Sequence, residues 1–305
     1  MNAARTLILF VLLGLIPCQA LAQQPGAIVE RISSTVLLRQ KGKQISLNPK
    51  SDIARVLYIG DSVHCEKGAR LSLSIGGRTT ELDENSGWFT IARRVSSQSD
   101  PHEKALAAYG RTGGRDRGFV SNSTVYSPAD ESAVMPELFV IRWTPLKRRC
   151  VASFVIQTPD GQELWRQDKV NGAPGSLESG IARQALMTYR TKVDEGTLLL
   201  RLKDSCGNED HLTFTLVSVA DEKSLKEELA FWDHEPEKLI AHIGRASVFS
   251  RYRMFPQAAE EYEAALAAAP KSHDLLLRTI SAHRRTGNRA RAERLERRLP
   301  PGPDS

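Results

Sequence analysis

Arg70-Leu71-Ser72-Leu73-Ser74-Ile75-Gly76-Gly77-Arg78-Thr79-Thr80-Glu81-Leu82 decides the reading of the N-terminal part of this 305-residue chain. Leu71, Leu73 and Ile75 alternate with Ser72 and Ser74, the period-two pattern of a strand with one buried face. Gly76-Gly77 accepts the positive φ angles of a tight loop, so Arg70 to Ile75 and Arg78 to Leu82 are predicted to pair as an antiparallel hairpin. Outward from it, Ala27 to Arg31, Thr35 to Arg39, Gln44 to Leu47, Val56 to Ile59 and Trp88 to Ile91 read as further short strands separated by turn signals. A compact β domain over residues 23–93 is the expectation.

Ile59-Gly60-Asp61-Ser62-Val63, then Lys67-Gly68-Ala69-Arg70-Leu71-Ser72-Leu73 and the glycine hairpin, resemble the core signature of FecR-type domains, named for an iron-dicitrate signalling regulator. The resemblance implies a small β domain of the kind found in periplasmic regulators and other envelope proteins. Two departures stand out: Gly76-Gly77 replaces an Asp-Gly hairpin, and Cys65 stands where a threonine is usual. The sigma-regulating members place a cytoplasmic segment and a membrane helix before this domain. A short signal peptide here argues against direct transmembrane signalling.

Residues 94–135 are rich in Ser, Gly, Asp and Arg with little periodicity and read as a flexible linker, with a short helix open at His102 to Ala108. Residues 136–220 return to strand rhythm. Leu138 to Trp143, Cys150 to Gln157, Glu163 to Gln167, Thr197 to Leu202 and His211 to Val217, with turns at Pro159-Asp160-Gly161 and Asp204 to Asn208, predict an immunoglobulin- or fibronectin-like sandwich. Ser179 to Thr191 reads as helix or crossover.

From residue 221 to 299 the period becomes helical. Ala246, Phe249, Ala258, Tyr262, Ala265 and Pro270 fall at tetratricopeptide spacings, and Leu276, Ile280, Gly287 and Ala292 restart that phase about 34 residues on. Arg253 takes the place of the usual turn glycine in the first unit. Residues 300–305 read as a disordered tail. The expected fold class is therefore multidomain β plus α.

Met1 to Ala22 carries Arg5, an apolar run from Leu7 to Ile16 and an Ala20-Leu21-Ala22 cleavage site, which together read as a cleavable signal peptide. Export to the periplasm or beyond follows, and with it an oxidising compartment. The mature cysteines are then Cys65, Cys150 and Cys206, and a Cys150–Cys206 disulfide is expected, with Cys65 left over.

No spacing of catalytic or metal-binding groups converges. His102-Glu103 and His234-Glu235 lack a second histidine four residues on, and Gly110 to Gly118 lacks the Gly-Lys-Ser/Thr ending of a phosphate loop. His64 and Cys65 are neighbours in a strand, which points them to opposite faces. Trp88, Trp143, Trp165 and Trp232 are expected to pack, with a sugar-stacking platform as the alternative. A noncatalytic protein without cofactor or metal is the expectation.

Transferring the tetratricopeptide groove by position puts Ser247, Ser250, Arg251, Ser281, Arg284 and Arg285 on one binding surface. Its arginines suit an acidic segment of another envelope protein, since guanidinium binds carboxylate bidentately. The formal charge of +6 is modest, and export argues against nucleic acid as partner. The alternative ligand is an anionic envelope lipid or polysaccharide, contacted at the membrane surface by Arg289, Arg291, Arg294, Arg297 and Arg298.

Overall fold

The computed structural model describes residues 24–76, 78–92, 101–112, 124–146 and 150–299. The expected signal peptide, the phosphate-loop-like stretch from Gly113 on and the expected C-terminal tail fall outside the described residues. Within them the chain is β plus α, with paired sheets followed by helices.

The first β unit holds β1 (Pro25–Ile32), β2 (Val36–Gln40), β3 (Lys43–Leu47), β4 (Val56–Tyr58), β5 (Ser62–Cys65), β6 (Arg70–Ile75), β7 (Arg78–Asp83) and β8 (Trp88–Thr90). They form two antiparallel sheets, ordered β4-β1-β6-β7 and β3-β2-β5-β8. Val29, Val36, Leu38, Leu57, Val63, Leu71 and Leu73 fill the space between them. The β6–β7 hairpin pairs from Ile75 with Arg78 to Arg70 with Asp83, and Gly76 takes a φ of 54° at its turn. One detail of the expected alternation fails: Ser72 and Ser74 are buried as well as the aliphatics. The Ser72 hydroxyl donates to Glu81, and Ser74 lies beneath helical side chains, so this strand is covered on both faces.

Sequence rhythm omits β5, a strand too short to show a period. The Gly60-Asp61 pair explains its start. Gly60 takes a φ of 92°, and the buried Asp61 carboxylate accepts the Tyr58 amide and the Gln40 side-chain amide, each at 2.8 Å. Without those donors a buried carboxylate is costly.

The second β unit starts earlier than residue 136. It comprises β9 (Val125–Ser127), β10 (Ser132–Val134), β11 (Ile141–Trp143), β12 (Val151–Gln157), β13 (Glu163–Asn171), β14 (Gly175–Leu177), β15 (Thr197–Asp204) and β16 (Glu209–Leu216). A five-stranded sheet, β10-β16-β15-β12-β13, and a three-stranded sheet, β14-β11-β9, share one core with Phe139, Phe154 and Phe214. Among the described residues the pairings of this unit are antiparallel except β10 with β16. Helix α2 (Gly180–Arg190), capped by the Ser179 hydroxyl, adds Ala182 and Leu186. Cys150 and Cys206 form a disulfide with Cα atoms 5.6 Å apart, while Cys65 is free and buried.

The flexible-linker reading of residues 94–135 is corrected by β9, β10 and α1 (Pro101–Thr112). Short polar strands carry no visible period, and β10 exists because Ser132 to Val134 find partners in Phe214 to Leu216, far along the chain. The helix is longer than His102 to Ala108, and it buries Ala105, Leu106, Ala108 and Tyr109 on one face.

The C-terminal helices are α3 (Val219–Asp233), α4 (Lys238–Arg251), α5 (Phe255–Ala268), α6 (His273–Thr286) and α7 (Arg289–Glu296). Each packs chiefly on the next, which short connections favour. Ala246, Ala258 and Ala265 lie in the core with Tyr262 and Phe249. Both turn positions, Arg253 and Gly287, are left-handed, with φ of 59° and 80°. A non-glycine residue there is strained. Arg253 compensates through contacts with the second β unit, its carbonyl accepting the Ala133 amide at 3.0 Å and its guanidinium donating to the Glu131 carbonyl at 2.6 Å.

Such contacts bind both β units to the helices. Ser272 caps α6, accepting the Leu275 amide, and its hydroxyl donates to the Ile53 carbonyl of the first β unit. The His273 amide donates to the Ser51 carbonyl at 2.9 Å. On the other side Arg190 pairs with Glu222 and Arg142 with Glu260. No helix among the described residues is long and apolar enough to cross a membrane.

Candidate functional site

The residues expected to form one groove do not converge. Ser247 is fully buried, its hydroxyl donating to the Ile243 carbonyl of its own helix at 2.8 Å. Arg251 turns away to pair with Glu228 on α3, and lines a cleft with Glu195, Asp221 and Tyr252 against the second β unit. Arg284 is exposed and pairs with Glu296 on α7 at 2.8 Å. Only Ser250, Ser281 and Arg285 meet, in a shallow crevice with Phe255, Tyr262 and Arg278. There the Arg285 guanidinium lies 4.8 Å from the Phe255 ring centroid. The physical reason is the left-handed turn at Arg253 and the contacts around it, which commit this end of α4 to α3 and the second β unit.

What lies against these helices is α1. Its chief helical contact is α4, and Ala105 and Leu106 meet Trp232, Ile240, Ile243 and Gly244 around a small crevice. Gly244 permits this packing, because a Cβ there would stand 2.2 Å from the Trp232 ring. At the other end of α1, the Tyr109 ring lies 3.6 Å from the Arg278 guanidinium and 6.4 Å from the Tyr262 ring. The Tyr109 hydroxyl donates to the Ala54 carbonyl at 2.9 Å, and the Arg278 guanidinium donates to the Tyr109 carbonyl. Complete burial holds the Tyr109 phenol well above its ordinary pKa, against the pull of Arg278.

Tyr109 and Arg278 escaped the sequence reading. Arg278 sits among Leu275, Leu276 and Ile280 on a helix, where an arginine reads as solvated. The available signal was the i, i+3 and i+4 spacing of Ala105, Ala108 and Tyr109 after Pro101.

A cleft of about 720 Å³ opens on the first β unit. Arg31, Arg70, Ser33, Ser72, Glu81, Asp83 and Ser86 line it with Ile32, Ile53 and Leu82. Its charges are largely self-compensated: Arg31 lies 3.4 Å from Glu81 and 3.9 Å from Glu237. Behind Arg31, Glu30 is buried where β1 meets the α3–α4 corner. Burial raises its pKa, and the nearby Glu237 and Glu235 add to the rise, opposed by a hydrogen bond with Thr79 and by Arg31.

Two ion clusters tie the helices together. His242 and Arg245 on α4 both contact Glu261 on α5, at 2.6 and 3.0 Å. His283 on α6, at 2.8 Å, and Arg291 on α7 contact Glu263 on α5. The His283 hydrogen bond, helped by Arg291, holds the Glu263 carboxyl down to about 2 against the opposing effect of burial. On the basic last helix Arg291 is thus engaged, and just beyond its end Arg298 donates to the Pro270 carbonyl at 2.7 Å.

The one cluster of metal-type ligand atoms among the described residues is Cys150, Cys206 and Asp204. Its sulfurs are joined in the disulfide, and the Asp204 carboxylate accepts the Cys206 amide and both nitrogens of Asn208, so the group reads as a braced loop. His64 and Cys65 do face opposite ways, the thiol inward and the imidazole outward on Trp88.

No family model matches the chain, and no curated protein matches it. Among solved structures, PorZ, a surface component of the type-IX secretion system of Porphyromonas gingivalis, is similar at 13% identity and a TM-score of 0.22. That match covers 58% of this chain and 26% of PorZ, so the chain spans about a quarter of that protein. A likeness this slight carries no functional argument.

Proposed function

We propose that this chain is a noncatalytic binding scaffold of the bacterial cell envelope, exported to an oxidising compartment. It mediates contact with another envelope component by holding a FecR-like and an immunoglobulin-like β unit on a tetratricopeptide-like helical spine. The observation that carries the reading is α1. A helix from between the two β units lies against the spine, and Tyr109 joins the spine to the first β unit through Arg278 and Ala54. Such integration fixes the outward faces of the β units relative to one another, which is what a scaffold requires.

The tetratricopeptide likeness is supported by the paired left-handed turns at Arg253 and Gly287 and by the buried small residues Ala246, Ala258 and Ala265. The disulfide supports export. Burial of α1 moves the partner surface away from the helical groove. Displacing it would expose Tyr109, Leu106 and Trp232 together, so an acidic peptide is a poor competitor for that place.

The test is photo-crosslinking in the native envelope from exposed positions Trp88, Ile181 and Leu277, one in each part. A discrete adduct from at least one position is the expected result. Adducts from none of them, with the protein correctly exported and folded, would overturn the scaffold reading.

A further inference from the structure

Trp88 differs from the other tryptophans in being 40% exposed, whereas Trp143, Trp165 and Trp232 are buried. It stands on the outer face of the β3-β2-β5-β8 sheet. Residues directly opposite one another on paired strands share a face. Ser46, Leu37, His64 and Trp88 therefore form one row across it, and Gln44, Arg39, Ser62 and Thr90 the next. Inward-pointing Val63 and Phe89 confirm which face is outward, since both pack on the core.

Chemistry on this face is unlike that of the arginine-rich surfaces elsewhere. The Arg39 guanidinium lies 4.2 Å from the Trp88 ring centroid, and the His64 ring stacks on the same indole at 5.3 Å and 27°. Stacking uses the flat face of a guanidinium and leaves its edge donors available for a planar carboxylate. Arg31, Arg142 and Arg251 are each neutralised by a carboxylate, but no ion pair engages Arg39 among the described residues. His64 is oriented by its Nδ1 contact with the Gly87 carbonyl at 3.1 Å, which leaves Nε2 outward as a second polar handle. The two rows contain no carboxylate, and Lys41 adds an exposed positive charge at the β2–β3 turn beyond them.

We propose that this face binds a carboxylate-bearing polysaccharide, with Arg39 taking the carboxylate and the exposed part of Trp88 packing on the sugar ring. The Ser62, Thr90, Gln44 and Ser46 side chains supply the hydroxyl and amide partners that a sugar needs beside an aromatic surface. Unlike a bare basic patch, the face combines an ordered cation with an aromatic ring, so it distinguishes an acidic sugar from a polyanion without one. The site is separate from the spine, and its failure would leave the scaffold reading untouched.

Calorimetric titration of the full chain with oligogalacturonate tests it, with maltohexaose and polyglutamate as the neutral-sugar and sugar-free controls. Oligogalacturonate is expected to bind, and Trp88→Ala and Arg39→Gln each to weaken it by roughly tenfold or more. Lys223→Gln, which removes one exposed charge on α3, should leave binding unchanged. Unchanged melting temperatures exclude unfolding as the cause, and Arg39→Gln keeps the test alive if Trp88→Ala is unstable. No binding of oligogalacturonate at about 1 mM, equal binding of polyglutamate, or an equal loss in Lys223→Gln would overturn the proposal.

Discussion

Arg278 covers the ring of Tyr109 at 3.6 Å and at the same time donates to the Tyr109 backbone carbonyl. Both the side chain and the main chain of α1 are thereby held by one buried residue of α6. Because the Tyr109 hydroxyl also reaches Ala54, a single tyrosine connects the helical spine to the first β unit.

Removing that connection should be expensive. Tyr109→Ala is expected to destabilise the protein by about 3–5 kcal/mol, as for other buried aromatic truncations. Tyr109→Phe should cost nearer 1 kcal/mol, for the hydrogen bond alone. Urea unfolding of both variants checks the difference, and equal costs would show that the hydroxyl, not the ring, does the joining.

Gly244 is a second point of close approach. Gly244→Ala brings a methyl against the Trp232 ring and is expected to cost about 1–3 kcal/mol by overpacking. Thermal unfolding followed by tryptophan fluorescence should show an earlier transition and a red-shifted native spectrum.

The Cys150–Cys206 bridge closes a sequence separation of 56 residues. Replacing both cysteines with alanine is expected to lower stability by roughly 2–4 kcal/mol. Mass spectrometry of protein recovered from the envelope, alkylated before and after reduction, should find one protected pair and leave Cys65 as the lone thiol.

Two glutamates give opposite pH dependences. Glu30 has a raised pKa in the fold, so the folded state holds its proton more tightly than the unfolded chain does. Its stabilising effect is full below the unfolded value and is lost as pH rises through the folded one. Glu30→Gln is therefore expected to raise stability at neutral pH and flatten that slope. Glu263, held down to about 2, stabilises above the unfolded value, and its contribution disappears as pH falls toward 2. Glu263→Gln should destabilise at neutral pH and much less at the acid end. Urea midpoints measured across pH for both variants check the two signs.

How much of this was legible beforehand depended on whether the information was local. The Leu71, Leu73, Ile75 alternation and the Gly76 turn gave the β6–β7 hairpin, because both its strands and its turn lie within a few residues. Alanine and aromatic spacing gave the helical pairs for the same reason. By contrast, β10 borrows its existence from β16, and β5 is too short to show a period.

Sequence by itself determined the β-then-α order of the chain, the major strands and helices, and the cysteines that pair. Only the tertiary structure decided that α1 belongs to the core, that Arg251 and Arg284 part company, and that Trp88 stays exposed while the other tryptophans are buried. The physical reason is that periodicity reports which face of an element is apolar, whereas only packing settles which other element covers that face.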